Sequence, residues 1–297
     1  MRILISGSSG FIGSALTSTL VSSGHTVLRL VRSPEKLAGD IFWNPDQGRI
    51  DTSNLEGMDA VVHLAGESIA SGWWTAQKKD RIRETRVKGT KLLSDALTDL
   101  KKPPSVFISA SAIGIYGDRG AEILKENSLP GKDFLAGVCQ EWEAAPELAA
   151  RKGIRVVNPR FGIVLGKEGG ALAKMLYPFK LGVGGKIGSG EQYMSWITID
   201  DVVGALQFAL MNEKIKGPIN VVAPHPVTNV EFTKILGKTI SRPTIFPLPA
   251  FVAHWVMGEM ADVLLLSSAR VEPAQLLEKG YVFKFPQLEP ALRHLLK

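Results

Sequence analysis

The stretch Ser6-Gly7-Ser8-Ser9-Gly10-Phe11-Ile12-Gly13 constrains this chain more than any other. It follows a short apolar run, Ile3-Leu4-Ile5, and opens an amphipathic segment, Phe11 to Val21. Strand, glycine turn and helix in that order make the setting of a dinucleotide-binding turn. Gly7 lets the chain turn off the strand. Gly10, lacking a Cβ, lets a pyrophosphate approach the backbone, and Gly13 is expected to let the helix pack on the sheet. The helix N-terminus offers unpaired amides and partial positive charge to phosphates. Gly7, Ser9, Gly10, Phe11, Ile12 and Gly13 are therefore candidate cofactor contacts; the alternative is a plain structural turn.

A chain of 297 residues, 45% hydrophobic and 22% charged, has room for one large core or two unequal lobes. A single cysteine, Cys139, excludes an internal disulfide framework and a cysteine-built zinc site; no metal site is expected. It suits a reducing cytoplasm. A strand beginning by residue 3 leaves no space for a signal peptide, and no apolar run reaches membrane-spanning length. The expectation is a cytoplasmic protein without membrane partners. The net charge of +6 raises nucleic acid as a partner. The basic residues are scattered, however, and the densest cluster, Lys78 to Lys91, is interleaved with Asp80 and Glu84. That pattern reads as a solvated helix face, so nucleic acid is not expected.

Thr26 to Val31 reads as a second strand ending in Arg32-Ser33. An acidic residue here would bond a ribose 2′-hydroxyl, whereas an arginine suits a 2′-phosphate. Arg32 and Ser33 thus favour NADP(H) over NAD(H); the alternative for Arg32 is an ordinary surface residue. Asp40 to Trp43 reads as a third strand, and Asp59 to Leu64 as a buried parallel one. Leu64-Ala65-Gly66 at its end lets a cofactor lie against the backbone. His63 reads as a core or strand-end histidine. Ala76 to Leu100 has helical periodicity, Ser105 to Ser109 reads as the next strand, and Asp133 to Lys152 as a helix. Thr228 and Glu231 have capping-box spacing.

The turn, spaced G-x-x-G-x-x-G, resembles that of extended short-chain dehydrogenase/reductases, with Ser6 in place of the usual threonine. Leu64-Ala65-Gly66, Ser109 to Gly117, Arg155 to Gly162 and Trp196 to Val202 resemble that superfamily too. The tail from Val271 to Pro286 resembles the C-terminal module of atypical epimerase-family proteins, some linked to control of cell division. The resemblance covers essentially the whole chain. It implies an α/β fold, a Rossmann-type doubly wound parallel sheet with a smaller C-terminal α+β substrate lobe. Residues 1–162 would bind NADP(H), segments around 195–225 would return to that domain, and 163–297 would mainly form the other lobe. It implies that Ser111 bonds the reacting substrate oxygen, and it adds Arg86, Ser109 and Arg160 as cofactor contacts. Ser111 as a loop cap and Arg86 as an exposed helix residue stay open.

The family's Tyr-x-x-x-Lys pair is absent. Four residues after Tyr116, Tyr177, Tyr193 and Tyr281 stand Gly120, Leu181, Ile197 and Phe285. Aligning on Trp142-Glu143 puts Leu135 and Cys139 near the two positions. Tyr116, or a cleft acid such as Glu67, is left as the candidate to move a proton; for Tyr116 the alternative is that it packs its loop. Two functions remain open. One is an NADP(H)-dependent oxidoreductase or epimerase with an altered site and an unassigned small-molecule substrate. The other is an NADP(H)-sensing regulatory protein acting on a protein partner. Either a monomer or a homodimer fits.

Overall fold

The computed structural model describes residues 1–32 and 39–297. Ser33 lies outside the described residues. The first apolar run becomes β1 (Arg2–Ser6), in which Ile3, Leu4 and Ile5 are fully buried. Parallel strands follow: β2 (Thr26–Val31), β3 (Ile41–Asn44), β5 (Ala60–His63), β6 (Val106–Ser109), β9 (Arg155–Phe161) and β13 (Gly217–Val221). A short β4 (Arg49–Ile50) returns antiparallel to β3. The order across the sheet is β13-β9-β6-β5-β1-β2-β3-β4, and β7 (Ser111–Ala112) pairs with the end of β9. The chain leaves β1 toward β2 on one side and resumes at β5 on the other. That reversal is the switch point outside which open α/β sheets bind ligands, at the carboxyl ends of the strands.

Alternate side chains of β1 point to opposite faces, which makes two cores from one run. Ile3 and Ile5 join Leu16 and Leu20 of α1 (Phe11–Ser22) and Val202 and Leu206 of α6 (Ile199–Met211). Leu4 joins Leu93 and Leu97 of α2 (Ala76–Thr98) and Ala149 of α4 (Glu147–Arg151). The helix expected over Asp133 to Lys152 is two helices, α3 (Phe134–Ala144) and α4, broken at Pro146. Proline has no amide hydrogen to continue the ladder.

A further core gathers around the fully buried Trp196. It contains Leu172 and Phe179 of α5 (Gly170–Lys180), Phe232 and Leu236 of α7 (Asn229–Thr239), and Leu288, Leu292 and Leu295 of α11 (Leu288–Leu296). Short pairs border it: β10 (Ile163–Leu165) with β12 (Trp196–Thr198), β11 (Tyr193–Met194) with β14 (Val227–Thr228), and β8 (Ile123–Leu124) with β15 (Arg270–Val271). The segment from β12 through α6 to β13 runs from this core back into the main sheet.

Asp201 lies in the first turn of α6, whose N-cap is Thr198. Its buried carboxylate accepts the amides of Lys284 and Phe285 at 2.7 and 3.0 Å and the hydroxyl of Thr198 at 3.1 Å, tying down the C-terminal segment. Two short helices, α8 (Ala250–Met257) and α9 (Glu259–Ala261), precede α10 (Ala274–Glu278). Among the described residues no helix is long and apolar enough to cross a membrane.

Candidate active site

The glycine turn has the geometry that an anion requires. Gly7 sits at φ +68°, in the left-handed region, and a Cβ there would press on the backbone of Leu64 and Ala65 at 2.9 Å. Gly10 is the N-cap of α1 in extended conformation, and its N–H bonds the Gly7 carbonyl at 3.0 Å. Helices α2, α3, α6 and α7 are capped by the side chains of Thr75, Asp133, Thr198 and Thr228, whereas α1 has no side-chain cap. Its first amides remain available to a ligand. Gly13 has a different neighbour from the one expected: a Cβ there would strike the Gly7 carbonyl, so this glycine lets the first turn of the helix close onto the loop, while Leu16 and Leu20 carry the packing on the sheet. Ser9 and Gly10 are exposed, and Ile12 is half-buried. The Phe11 ring lies against Gly166, Gly169 and Gly170, where any added Cβ would strike it, so this side chain bridges to the loop before α5.

The floor of the site is the end of β5. Ser6 Oγ lies 2.6 Å from His63 Nδ1 and accepts the amides of Leu64 and Ala65 at 3.2 and 3.3 Å. Burial pushes His63 down to about 4, so the ring is neutral. With Ser6 Oγ accepting two amides, its own proton is assigned to His63 Nδ1, which leaves the ring proton on Nε2. That nitrogen has no hydrogen-bond partner, and the ring stands at 86° to Trp43.

A concavity beside this floor is lined by Arg32, Trp43, Asp46, Gly66, Glu67 and Thr85. Glu67 is bonded by Lys78 at 2.6 Å, which holds its carboxyl below the usual carboxylate range. Arg86 approaches Gly66 from α2: a Cβ on Gly66 would lie 3.4 Å from the guanidinium carbon. The guanidinium stacks 5.0 Å from the Trp142 ring, and Nη1 donates to the Ile82 carbonyl at 3.0 Å. Its burial lowers the Arg86 pKa. Ser109, at the end of β6, is fully buried, and its hydroxyl has no partner.

Ser111 lies one step further along the sheet edge. Its hydroxyl donates to Glu143 Oε1 at 2.6 Å. Arg160 grips the same carboxylate with Nε at 2.7 Å and Nη2 at 2.8 Å. Its Nη1 donates to the Tyr116 hydroxyl at 2.8 Å and to the Glu126 carbonyl at 3.0 Å. Tyr116 in turn donates to Asn220 Oδ1 at 2.7 Å. Burial alone would lower the Arg160 pKa, but the hydrogen bonds and charge of Glu143 raise it above its ordinary value.

Two expectations are corrected here. Tyr116 is fully enclosed, its hydroxyl bonds Asn220 and Arg160, and burial raises its pKa. It braces the loop rather than facing substrate. Arg160, 6% exposed, spends Nε and both terminal nitrogens on protein acceptors, which leaves it no free fork for a cofactor. Sequence reasoning used Glu143 only as an alignment anchor and missed its role, because its partners lie on β7 and β9. Cys139 is buried beside Glu143 and Arg86, with its thiol pushed up to about 12 chiefly by burial.

Residues 3–222 match the model of the NAD dependent epimerase/dehydratase family. The chain belongs to that family. Residues 248–295 match a domain of unknown function, DUF1731. The chain is 42% identical to an epimerase family protein of Mycobacterium tuberculosis, over 98% of this chain and 96% of that one. It is 37% identical to human epimerase family protein SDR39U1 over the full length of both. The crystal structure of that human protein (isoform 2), with NADPH, superposes with a TM-score of 0.92 over 99% of each chain at 36% identity. A UDP-glucose 4-epimerase from Thermus thermophilus shares the fold at a TM-score of 0.78 and 20% identity, over 100% of this chain and 98% of that one.

Proposed function

We propose that this chain is an NADP(H)-dependent oxidoreductase or epimerase with an atypical active site. The observation that carries the cofactor choice is Arg32, which borders the concavity at the end of β2, where a 2′-phosphate would sit. The uncapped N-terminus of α1, the left-handed Gly7 and the bare Gly66 fit a dinucleotide drawn along the sheet edge. The human relative crystallised with NADPH supports the same reading. Gly7, Ser9, Gly10, Gly13 and the amides of Phe11 and Ile12 would hold the pyrophosphate, and Leu64, Ala65 and Gly66 the adjoining backbone face. When bound, the nicotinamide supplies or accepts a hydride.

In this reading Ser111, 2% exposed at the end of the sheet edge, would hold a substrate oxygen. A carboxylate accepts only, so the Ser111 proton points to Glu143 and its lone pairs are left for a substrate hydroxyl. The test is a fluorescence titration of wild type and Arg32→Asp with NADPH and NADH. NADPH affinity should fall on the order of tenfold or more, the range for a charged hydrogen bond, with NADH affinity unchanged. Equal affinities for the two nucleotides in the wild type would refute the assignment.

The second reading is an NADP(H)-sensing protein that acts through a protein partner, which the resemblance connects with cell division. Two observations favour it. Leu135 and Cys139, near the positions of the missing pair, are apolar and buried. Phe251 and Trp255, one turn apart on α8, are 76% and 80% exposed.

A further inference from the structure

From Pro243 to Gly258 the chain carries no lysine, arginine, aspartate or glutamate. So apolar a run belongs in a core, yet Ile245, Phe246, Phe251 and Trp255 are each more than half exposed. Helix α8 turns Ala253 inward and Phe251 and Trp255, one turn apart, outward. Tyr177 and Leu181 are exposed in the same way where α5 ends. The two segments are laced into one face. The Leu248 amide donates to the Lys186 carbonyl at 2.8 Å, the Gly188 amide to the Leu248 carbonyl at 2.9 Å, and Gly185 lies against the Phe246 backbone.

The size of the face decides that something covers it. An aromatic side chain buries roughly 150–250 Å², so the four here, at 55–80% exposure, present on the order of 500 Å². That already matches the largest apolar patch of an ordinary monomer, about 300–600 Å². Leu181, Ile245 and the exposed Val256 bring the total near the roughly 800 Å² that each partner buries in a stable pair. Removing this surface from water is the favourable direction.

Charge around the face says what the cover is. Exposed Lys186 is joined through its backbone to Leu248, just before α8, and exposed Asp262 follows α9 beyond the other end. The Asp262 carboxylate meets the His254 ring at 2.9 Å, and Glu259 at the same end is paired with Lys79. The face is thus positive where α8 begins and negative past its end, in the sense of the helix dipole itself. Two such faces fit when one is turned end for end about a twofold axis. Each Lys186 then meets the partner subunit's Asp262, and the aromatic side chains cover one another. The structure assigns this face to a second copy of the same chain, in a twofold dimer with α8 antiparallel to its counterpart. The inference does not use the cofactor reading, since none of these residues lines the concavity beside β5. It gives to a second copy the face that the regulatory reading offers to another protein.

The experiment is sedimentation velocity on the full chain across the micromolar range. It compares wild type, Trp255→Glu, Lys186→Asp, Asp262→Lys and the double variant carrying both charge reversals, with thermal melting to verify that each is folded. The wild type should be a dimer that dissociates in that range or below it. Trp255→Glu should raise the dissociation constant on the order of a hundredfold, since it sets a charge into the apolar face. Each single charge reversal should raise it roughly tenfold, and the double variant should restore it, because reversing both ends brings opposite charges together again. That rescue is what a twofold contact gives and a merely damaged surface does not. A wild type that is monomeric throughout, a dimer indifferent to Trp255→Glu, or a double variant without rescue overturns the inference. A monomer that sediments with vesicles of phosphatidylcholine and phosphatidylglycerol, and loses them in Trp255→Glu, also overturns it and gives the face to a lipid surface.

Discussion

His63 should make this protein acid-sensitive in a narrow and calculable way. The ring is fully buried at the end of β5, with one nitrogen on Ser6 and the other without a hydrogen-bond partner. Burial pushes its pKa from 6.5 to about 4. Between those values the unfolded chain binds the proton and the folded one does not. Stability is therefore complete above the unfolded pKa, is lost as pH falls, and stops falling below the folded value. A shift of one unit is worth about 1.4 kcal/mol. The loss from this residue should reach about 2 kcal/mol by pH 5 and about 3 kcal/mol by pH 4. The assay is urea unfolding from pH 7.5 to 4, in wild type and in His63→Asn. The variant removes the titration, and any fixed cost of losing the imidazole appears equally at every pH. The wild-type curve should drop more steeply by about 3 kcal/mol over the range, while carboxylates common to both cancel. Parallel curves would refute the reasoning and show that His63 is solvated or paired in solution.

Other outcomes follow from the same geometry. Gly10→Val should abolish NADPH binding yet leave the melting temperature nearly unchanged, since a Cβ there meets only the Gly7 carbonyl at 3.2 Å and the backbone is already extended. Retained affinity in the folded variant would contradict the turn assignment. Glu143→Ala should destabilise the fold by about 3 kcal/mol in denaturant titration, because it strands the buried Arg160 and leaves Ser111 without its acceptor. A shift below about 0.5 kcal/mol would show that water replaces the carboxylate.

Much of the fold was written in short-range pattern. The Ile3-Leu4-Ile5 run, the glycines at 7, 10 and 13, and the capping box at Thr228 and Glu231 act over a few residues, so their consequences can be read in order along the chain. The α/β class and the dinucleotide turn follow from them. Even there, neighbours are decided by packing: Gly13 yields to Gly7, and the Phe11 ring rests on glycines more than 150 positions away. The helix break at Pro146 was also present in the sequence as a lost donor, though periodicity alone ran through it.

Only the tertiary structure decided which polar groups meet. Ser111 finds Glu143 across 32 positions, Arg160 reaches Tyr116 across 44, and Tyr116 reaches Asn220 across 104. No local spacing encodes those pairs. Burial forces them, because each of these groups must be satisfied once water is excluded. The same exclusion turned Tyr116 and Arg160 from candidate cleft residues into bracing, and left Arg86, half-buried over Trp142, with no carboxylate partner among the described residues. The sequence by itself determined what kind of ligand the sheet edge is built for. The chemistry at that edge depends on desolvation and charge pairing among residues distant in the chain, and these exist only once the chain has closed on itself.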